Sequence, residues 1–200
     1  MHFAAAGLNQ SVDTILISHL HGDHFGGLPF FVLDQQFSRR ERPLLVAGPP
    51  GLKARTRQAM EVLFPGSSET GRRFELQWVE LDERAETDLG FVRVTAYAVP
   101  HASGAPAYAL RVGCADKVVA YSGDGAWSAA LVEASANADL FICEAYTFDR
   151  PVRYHLDYAS LRQHRDELGC RQLVLTHMGR DMLDRAVDAK CAEDGWTLTL

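Results

Sequence analysis

The segment Ser18-His19-Leu20-His21-Gly22-Asp23-His24-Phe25-Gly26-Gly27 constrains this chain more than any other. Four potential metal ligands, His19, His21, Asp23 and His24, fall within six residues. The apolar run Ile15-Leu16-Ile17 before them reads as a buried strand, and residues 27–37 after them read as a helix with Pro29 in its first turn. The cluster therefore occupies a strand-to-helix loop, a place where rigid scaffolds commonly carry functional groups. On extended backbone, side chains two apart point the same way, so His19 and His21 can reach one ion. After the turn at Gly22, Asp23 and His24 are aimed toward a second ion, at the roughly 3.5–4 Å spacing of two-metal sites. A lone His-x-His is a weak signal. The full His-x-His-x-Asp-His between a strand and a glycine-opened helix is a strong one, set against the bland reading of a histidine-rich surface loop.

Other strand ends repeat the theme. His101 follows a strand ending at Val99-Pro100, Asp124 sits in Ser122-Gly123-Asp124-Gly125 after a strand ending at Tyr121, and His177 follows one ending at Thr176. Each alone is an ordinary loop residue. Together, four strand ends carry His or Asp, and open α/β sheets bind ligands where strand ends gather.

Hydrophobic patterning predicts strands over 13–18, 44–47, 74–81, 91–99, 140–143, 173–175 and 196–200, with a hairpin formed by 108–112 and 118–121. Helices are expected over 1–9 (the tail of one), 52–63, 127–136, 157–168 closed by Gly169, and 182–192, while Arg39-Arg40-Glu41-Arg42 reads as a solvated turn. Alternating strands and helices around a hairpin fit a mixed sheet covered by helices, an α/β class, as one domain over 1–200. A formal charge of −6 argues against a broad basic face for long nucleic acids. No apolar run is long enough for a membrane span, and the apolar start Met1-His2-Phe3 lacks the basic residues of a secretory signal. The scattered cysteines Cys114, Cys143, Cys170 and Cys191 read as reduced thiols in a cytoplasmic protein.

On its histidine motif and strand-end ligands, the chain resembles the metallo-β-lactamase-fold hydrolases. Within them it looks most like the branch of transfer-RNA 3′-end-processing nucleases (ribonuclease Z) and related phosphodiesterases. The resemblance covers nearly all the chain from Asp13 onward and implies an αββα sandwich. Family members usually begin with further strands before the helix that leads into the histidine motif, so this chain is expected to be an N-terminally trimmed form. The resemblance assigns His19, His21 and His101 to a first metal, Asp23, His24 and His177 to a second, and Asp124 to a bridge between them. The implied cofactors are two divalent ions. Zinc suits the donors best, and manganese or iron accept them too. Two further residues match the nuclease branch. His155 stands where a histidine contacts the scissile phosphate or protonates the leaving group, its plain alternative being a loop histidine. Glu144 stands where a glutamate orients that histidine or a ligand, its alternative being a solvent-facing side chain. Asp23 would orient the attacking solvent or take its proton. His2 and His164 match nothing, and Trp127 reads as core rather than pocket wall.

Antibiotic-hydrolysing members usually lack the His24-type ligand or carry cysteine where this chain has Asp124. Transfer-RNA processing enzymes place a long arm between the third histidine and the bridging aspartate, whereas Asp124 stands only 23 positions after His101. The expectation is a dinuclear metal-dependent hydrolase, a phosphodiesterase in which a metal-bridging hydroxide attacks a small or single-stranded phosphodiester. Transfer RNA is not expected as the main substrate. The alternatives are hydrolysis of a thioester, lactone or other ester, or an inactive truncated metal-binding module. An open sheet edge would also suit a homodimer.

Overall fold

The structure, a computed structural model, describes residues 11–200, so the expected helix over 1–9 and His2 lie outside the described residues. They divide into two compact units, one comprising residues up to Leu81 with Ser103–Ala105, the other Asp82–Ala102 with Pro106–Leu200.

The first unit is a parallel sheet in the order β1 (Thr14–Leu16), β2 (Leu44–Gly48), β3 (Leu76–Glu80), with Ile15 beside Val46 and Val46 beside Trp78. Parallel neighbours need crossovers. These are supplied by α1 (Gly22–Phe25) and α2 (Leu28–Phe37) between β1 and β2, and by α3 (Leu52–Leu63) between β2 and β3. Val32, Leu44, Val46, Leu52 and Met60 are fully buried here, and Pro29 sits in the first turn of α2 as expected. The solvated turn expected at 39–42 is corrected at Arg40, whose guanidinium is buried. It donates to Asp13 Oδ1 at 2.6 Å, to the Val12 and Arg42 carbonyls at 2.8 Å, and to Gln35 Oε1 at 3.1 Å. A planar guanidinium with this many satisfied donors ties the entry of β1 to the exit of α2.

The second unit is a seven-stranded mixed sheet in the order β10-β9-β8-β7-β6-β5-β4. Its strands are β4 (Glu86–Asp88), β5 (Arg93–Val99), β6 (Ala107–Cys114), β7 (Lys117–Tyr121), β8 (Leu140–Glu144), β9 (Gln172–Thr176) and β10 (Lys190–Cys191). The expected hairpin is β6–β7, and β4 to β7 run antiparallel while β7 to β10 run parallel. Helices α4 (Ala129–Ser135) and α5 (Tyr158–Gln163) make the crossovers between β7 and β8 and between β8 and β9. Because β5, β7, β8 and β9 point the same way, Val99, Tyr121, Glu144 and Thr176 end at one rim of the sheet.

Several expectations fail for physical reasons. The helix over 182–192 is only the short α6 (Arg180–Leu183), after which the chain forms β10 beside β9. There the free edge of β9 takes residues that helical periodicity claimed. Residues 196–200 form no strand, and Trp196 remains exposed. The helix over 157–168 begins as expected, with Asp157 Oδ1 accepting the Ser160 N–H at 2.8 Å. It breaks at His164, where the ring packs flat on Trp127, and resumes as a 3-10 turn over Arg165–Glu167, so Gly169 closes no α-helix. The polar edge strand β4 offers no apolar alternation to read.

Two carboxylates link the second unit to pH. The Val118 N–H, followed by Arg171, holds Asp139 below the usual carboxylate range, and the Phe148 N–H, followed by Arg185, does the same for Asp181. A depressed folded pKa contributes stability above the unfolded value, about 3.9, that is lost as pH falls through the folded value. Urea midpoints are therefore expected to fall below about pH 4, and an Asp139→Asn/Asp181→Asn protein to lose less stability over that range than the parent.

Candidate metal centre

In the first unit, Ile17 still donates to the Ala47 carbonyl at 2.8 Å, so the backbone is held extended into the motif. His19 is completely buried. The rings of His19 and His21 lie 5.0 Å apart, edge to face, and those of His19 and His24 lie 3.9 Å apart. Asp23 and His24 belong to the single helical turn α1 rather than to a loop, and Asp23 Oδ2 stands 3.6 Å from His24 Nε2 on a largely exposed side chain. Ser18, which sequence reasoning passed over, is buried with its hydroxyl 3.1 Å from His19 Nδ1 and 3.5 Å from His24 Nδ1. An oxygen at the Nδ1 side of two imidazoles favours Nε2 as the ligand atom of each, the usual arrangement behind metal-binding histidines.

In the second unit, the rim of parallel strand ends gathers Asp124, Glu144, His155 and His177, whose potential ligand atoms all lie within 4.8 Å of one another. The loop Ser122-Gly123-Asp124-Gly125 makes this approach possible. Gly123 takes φ +59°, and a Cβ on Gly125 would sit 2.9 Å from the Val99 side chain, so only glycine fits without displacement. The Glu144 N–H donates to Ser122 Oγ at 2.8 Å, which pins this loop to the end of β8.

Glu144 is not solvent-facing. It is buried, and Oε1 lies 2.6 Å from His155 Nδ1 and 3.5 Å from His177 Nδ1. Oε2 accepts the backbone N–H groups of Gly125 and Leu156, each at 3.3 Å. Asp124, also buried, places Oδ2 3.5 Å from His177 Nε2. His177 itself takes φ +51° and Tyr154 takes φ +67°, left-handed values that β-carbon residues adopt at a cost of about 1–3 kcal/mol and that cluster at functional sites. The Tyr154 carbonyl accepts a hydrogen bond from His101 Nδ1 at 2.9 Å, leaving Nε2 as that ring's ligand atom, and the His101 ring meets His155 edge to face at 5.2 Å.

Tyr146 is a second residue that sequence reasoning missed. Its ring packs nearly parallel to His155 at 4.7 Å and to His177 at 5.6 Å. The signal was its position two residues after Glu144, which continues the strand's facing direction. Trp127 does line a pocket, a 440 Å³ cavity it shares with His155, Tyr154 and Pro100, and it also packs on the core. Cys143 is no member of this cluster, and burial, with Glu144 beside it, pushes its thiol far up. In type and placement these imidazoles and carboxylates fit divalent cations.

Residues 3–178 match the family model described as the β-lactamase superfamily domain. The chain belongs to the β-lactamase superfamily. Its α/β fold is the metallo-β-lactamase one, as expected. Human tRNase Z, short form, superposes with a TM-score of 0.75 at 23% identity, covering 96% of this chain and 80% of that one. The metallo-β-lactamase fold protein YhfI from Bacillus subtilis gives 0.73 at 17% identity, covering 97% and 80%. Among curated relatives, ribonuclease Z from Geobacillus kaustophilus is 39% identical over 103 residues, 52% of this chain and 31% of that protein. Ribonuclease Z from Shouchella clausii is 36% identical over 107 residues, 54% and 32%. The matched stretch thus spans about a third of those superfamily members' length. No helix among the described residues is long and apolar enough to cross a membrane.

Proposed function

We propose that this superfamily member is a dinuclear metal-dependent phosphodiesterase acting on a small or single-stranded phosphodiester in the cytoplasm. The observation that carries the reading is the Asp124–Glu144–His155–His177 cluster, which sets donors suited to a metal beside a hydrogen-bonded acid–base pair. His19, His21 and His101 would hold one cation, Asp23, His24 and His177 the other, and Asp124 both. When bound, a pair of divalent cations, zinc by donor type, supplies Lewis acidity and an attacking solvent oxygen near neutral pH.

The chain's own residues do the rest. Glu144 fixes His155 through Nδ1, which leaves Nε2 to give a proton to the departing oxygen. Tyr146 restricts how far the His155 and His177 rings can tilt. Asp23, with its exposed carboxylate, accepts the proton released by the attacking solvent. Free cysteines support a reducing compartment. The relatives' names support a phosphodiester, and RNA within that class, while the 31% and 32% coverage leaves the substrates of whole ribonuclease Z proteins with those proteins.

Turnover of bis(4-nitrophenyl) phosphate beside a thioester and lactone panel tests the reading. Cleavage of the phosphodiester is the expected result, and turnover of carbonyl substrates alone would transfer the same residues to ester chemistry. An inactive module would instead emerge from size-exclusion chromatography as a metal-free aggregate.

A further inference from the structure

A cavity of 680 Å³ in the larger unit shares no residue with the histidine cluster. It lies between α5, the 3-10 turn and the β9–β10 edge. Arg162, Arg165, Arg171 and Lys190 line it, against one acidic side chain, Asp188. Its floor is apolar, made by Leu161, Leu173 and Val187 with the aromatic Phe148 and Tyr158. Arg171 is matched by Asp139 at 3.2 Å. The other three cations meet only neutral partners among the described residues. The Arg162 guanidinium lies 5.9 Å from the Tyr158 ring centre, Arg165 donates to the Leu168 carbonyl at 3.4 Å, and Lys190 donates to Gln172 Oε1 at 3.2 Å.

Like charges gathered around one cleft repel one another, and more so over an apolar floor than in open water. A chain with net charge −6 has acidic side chains to spare, yet the lining here carries a surplus of cations. The volume falls within the range of small-molecule clefts, about 300–1,000 Å³. Guanidinium groups match phosphate oxygens in pairs of charge-assisted hydrogen bonds, and an ammonium adds a point charge.

The geometry points to a second binding site, for a small phosphorylated organic molecule. Its phosphate meets Arg162, Arg165 and Lys190, and its apolar or ring-bearing body lies on Leu161, Leu173 and Val187. A nucleoside monophosphate has this chemistry, whether free or as the 5′ end of an oligonucleotide. The site is independent of the proposed hydrolysis.

Calorimetric titration of the metal-loaded full chain with adenosine monophosphate, adenosine, inorganic phosphate and a 5′-phosphorylated tetranucleotide whose internal links are uncleavable methylphosphonates tests it. Adenosine monophosphate is expected to bind at least about tenfold tighter than either adenosine or phosphate, and to weaken as salt is raised. An Arg162→Ala/Lys190→Ala protein should lose at least about tenfold in affinity. It should cleave bis(4-nitrophenyl) phosphate as the parent does, and Arg162→Lys/Lys190→Arg should retain binding. A tetranucleotide that binds as tightly as the monophosphate assigns the site to strand ends, and one that binds more weakly assigns it to free nucleotide. Affinity unchanged in the alanine variant, or lost equally in His155→Ala, overturns the proposal, as does phosphate binding as well as the nucleotide. In those cases the cations serve only to cover apolar surface with their stems.

Discussion

Asp124→Ala is expected to lose bound metal and hydrolytic activity together. The side chain is buried at the rim of the larger sheet, with Oδ2 3.5 Å from His177 Nε2 and Glu144 close behind. In the proposed centre it is the one ligand common to both cations, so its removal weakens both sites at once. A Lewis acid contributes several kcal/mol to the transition state, which corresponds to a fall in kcat/KM on the order of 10³ or more. Metal content by plasma emission, measured on the same preparations as turnover, keeps the two effects separable. Asp124→Asn preserves the volume of the side chain and serves as the folding control. Turnover at the parental rate in the alanine protein would refute the bridging assignment.

Glu144→Gln should behave differently. The carboxylate lies 2.6 Å from His155 Nδ1 and accepts two backbone N–H groups, so the amide fits the same space without the charge. Metal retention is expected to persist, because Glu144 acts mainly through His155 and His177. The loss should fall on kcat, by about 10²–10⁴ where proton transfer to the leaving group limits the rate. It should be much smaller for 4-nitrophenolate, which departs without a proton, than for an alkoxide leaving group. That leaving-group dependence separates a positioning role from a structural one, since a merely loosened fold would depress both substrates alike. Glu144→Ala would also leave the Gly125 and Leu156 N–H groups without their acceptor, at a cost of about 1–3 kcal/mol in stability.

Part of this centre was legible in the sequence because its chemistry is local. His19, His21, Asp23 and His24 stand together, and an apolar strand before them and glycines after them declare a strand-to-helix connection, although Asp23 and His24 fall in the turn α1 rather than in a loop. The strand ends at Val99, Tyr121 and Thr176 were equally readable from alternation, and they place His101, Asp124 and His177 one to three residues beyond. What escaped depends on how the chain turns back on itself between elements, which no run of pattern records. Ser18 is an unremarked serine until the His24 ring returns to it, and Tyr146 is an ordinary aromatic until the loop leading into α5 brings His155 against it. Arg40 looked like a member of a charged turn, yet the carbonyls that bury it come from Val12, Arg42 and Pro43. The C-terminal segment failed in the other direction. Its helical period is real, but the unpaired edge of β9 competes for the same backbone groups, and pairing at Lys190 and Cys191 wins. Local propensity is a weak prior where a sheet edge stands open.

The reading proposed for this chain is that its imidazoles and carboxylates hold one pair of cations. Anomalous diffraction from zinc-loaded crystals tests it most directly. The account predicts two peaks roughly 3.5–4 Å apart, with Asp124 touching both, His19, His21 and His101 around one, and Asp23, His24 and His177 around the other. A single peak confined to Asp124, Glu144, His155 and His177, with the motif histidines uninvolved, would contradict it.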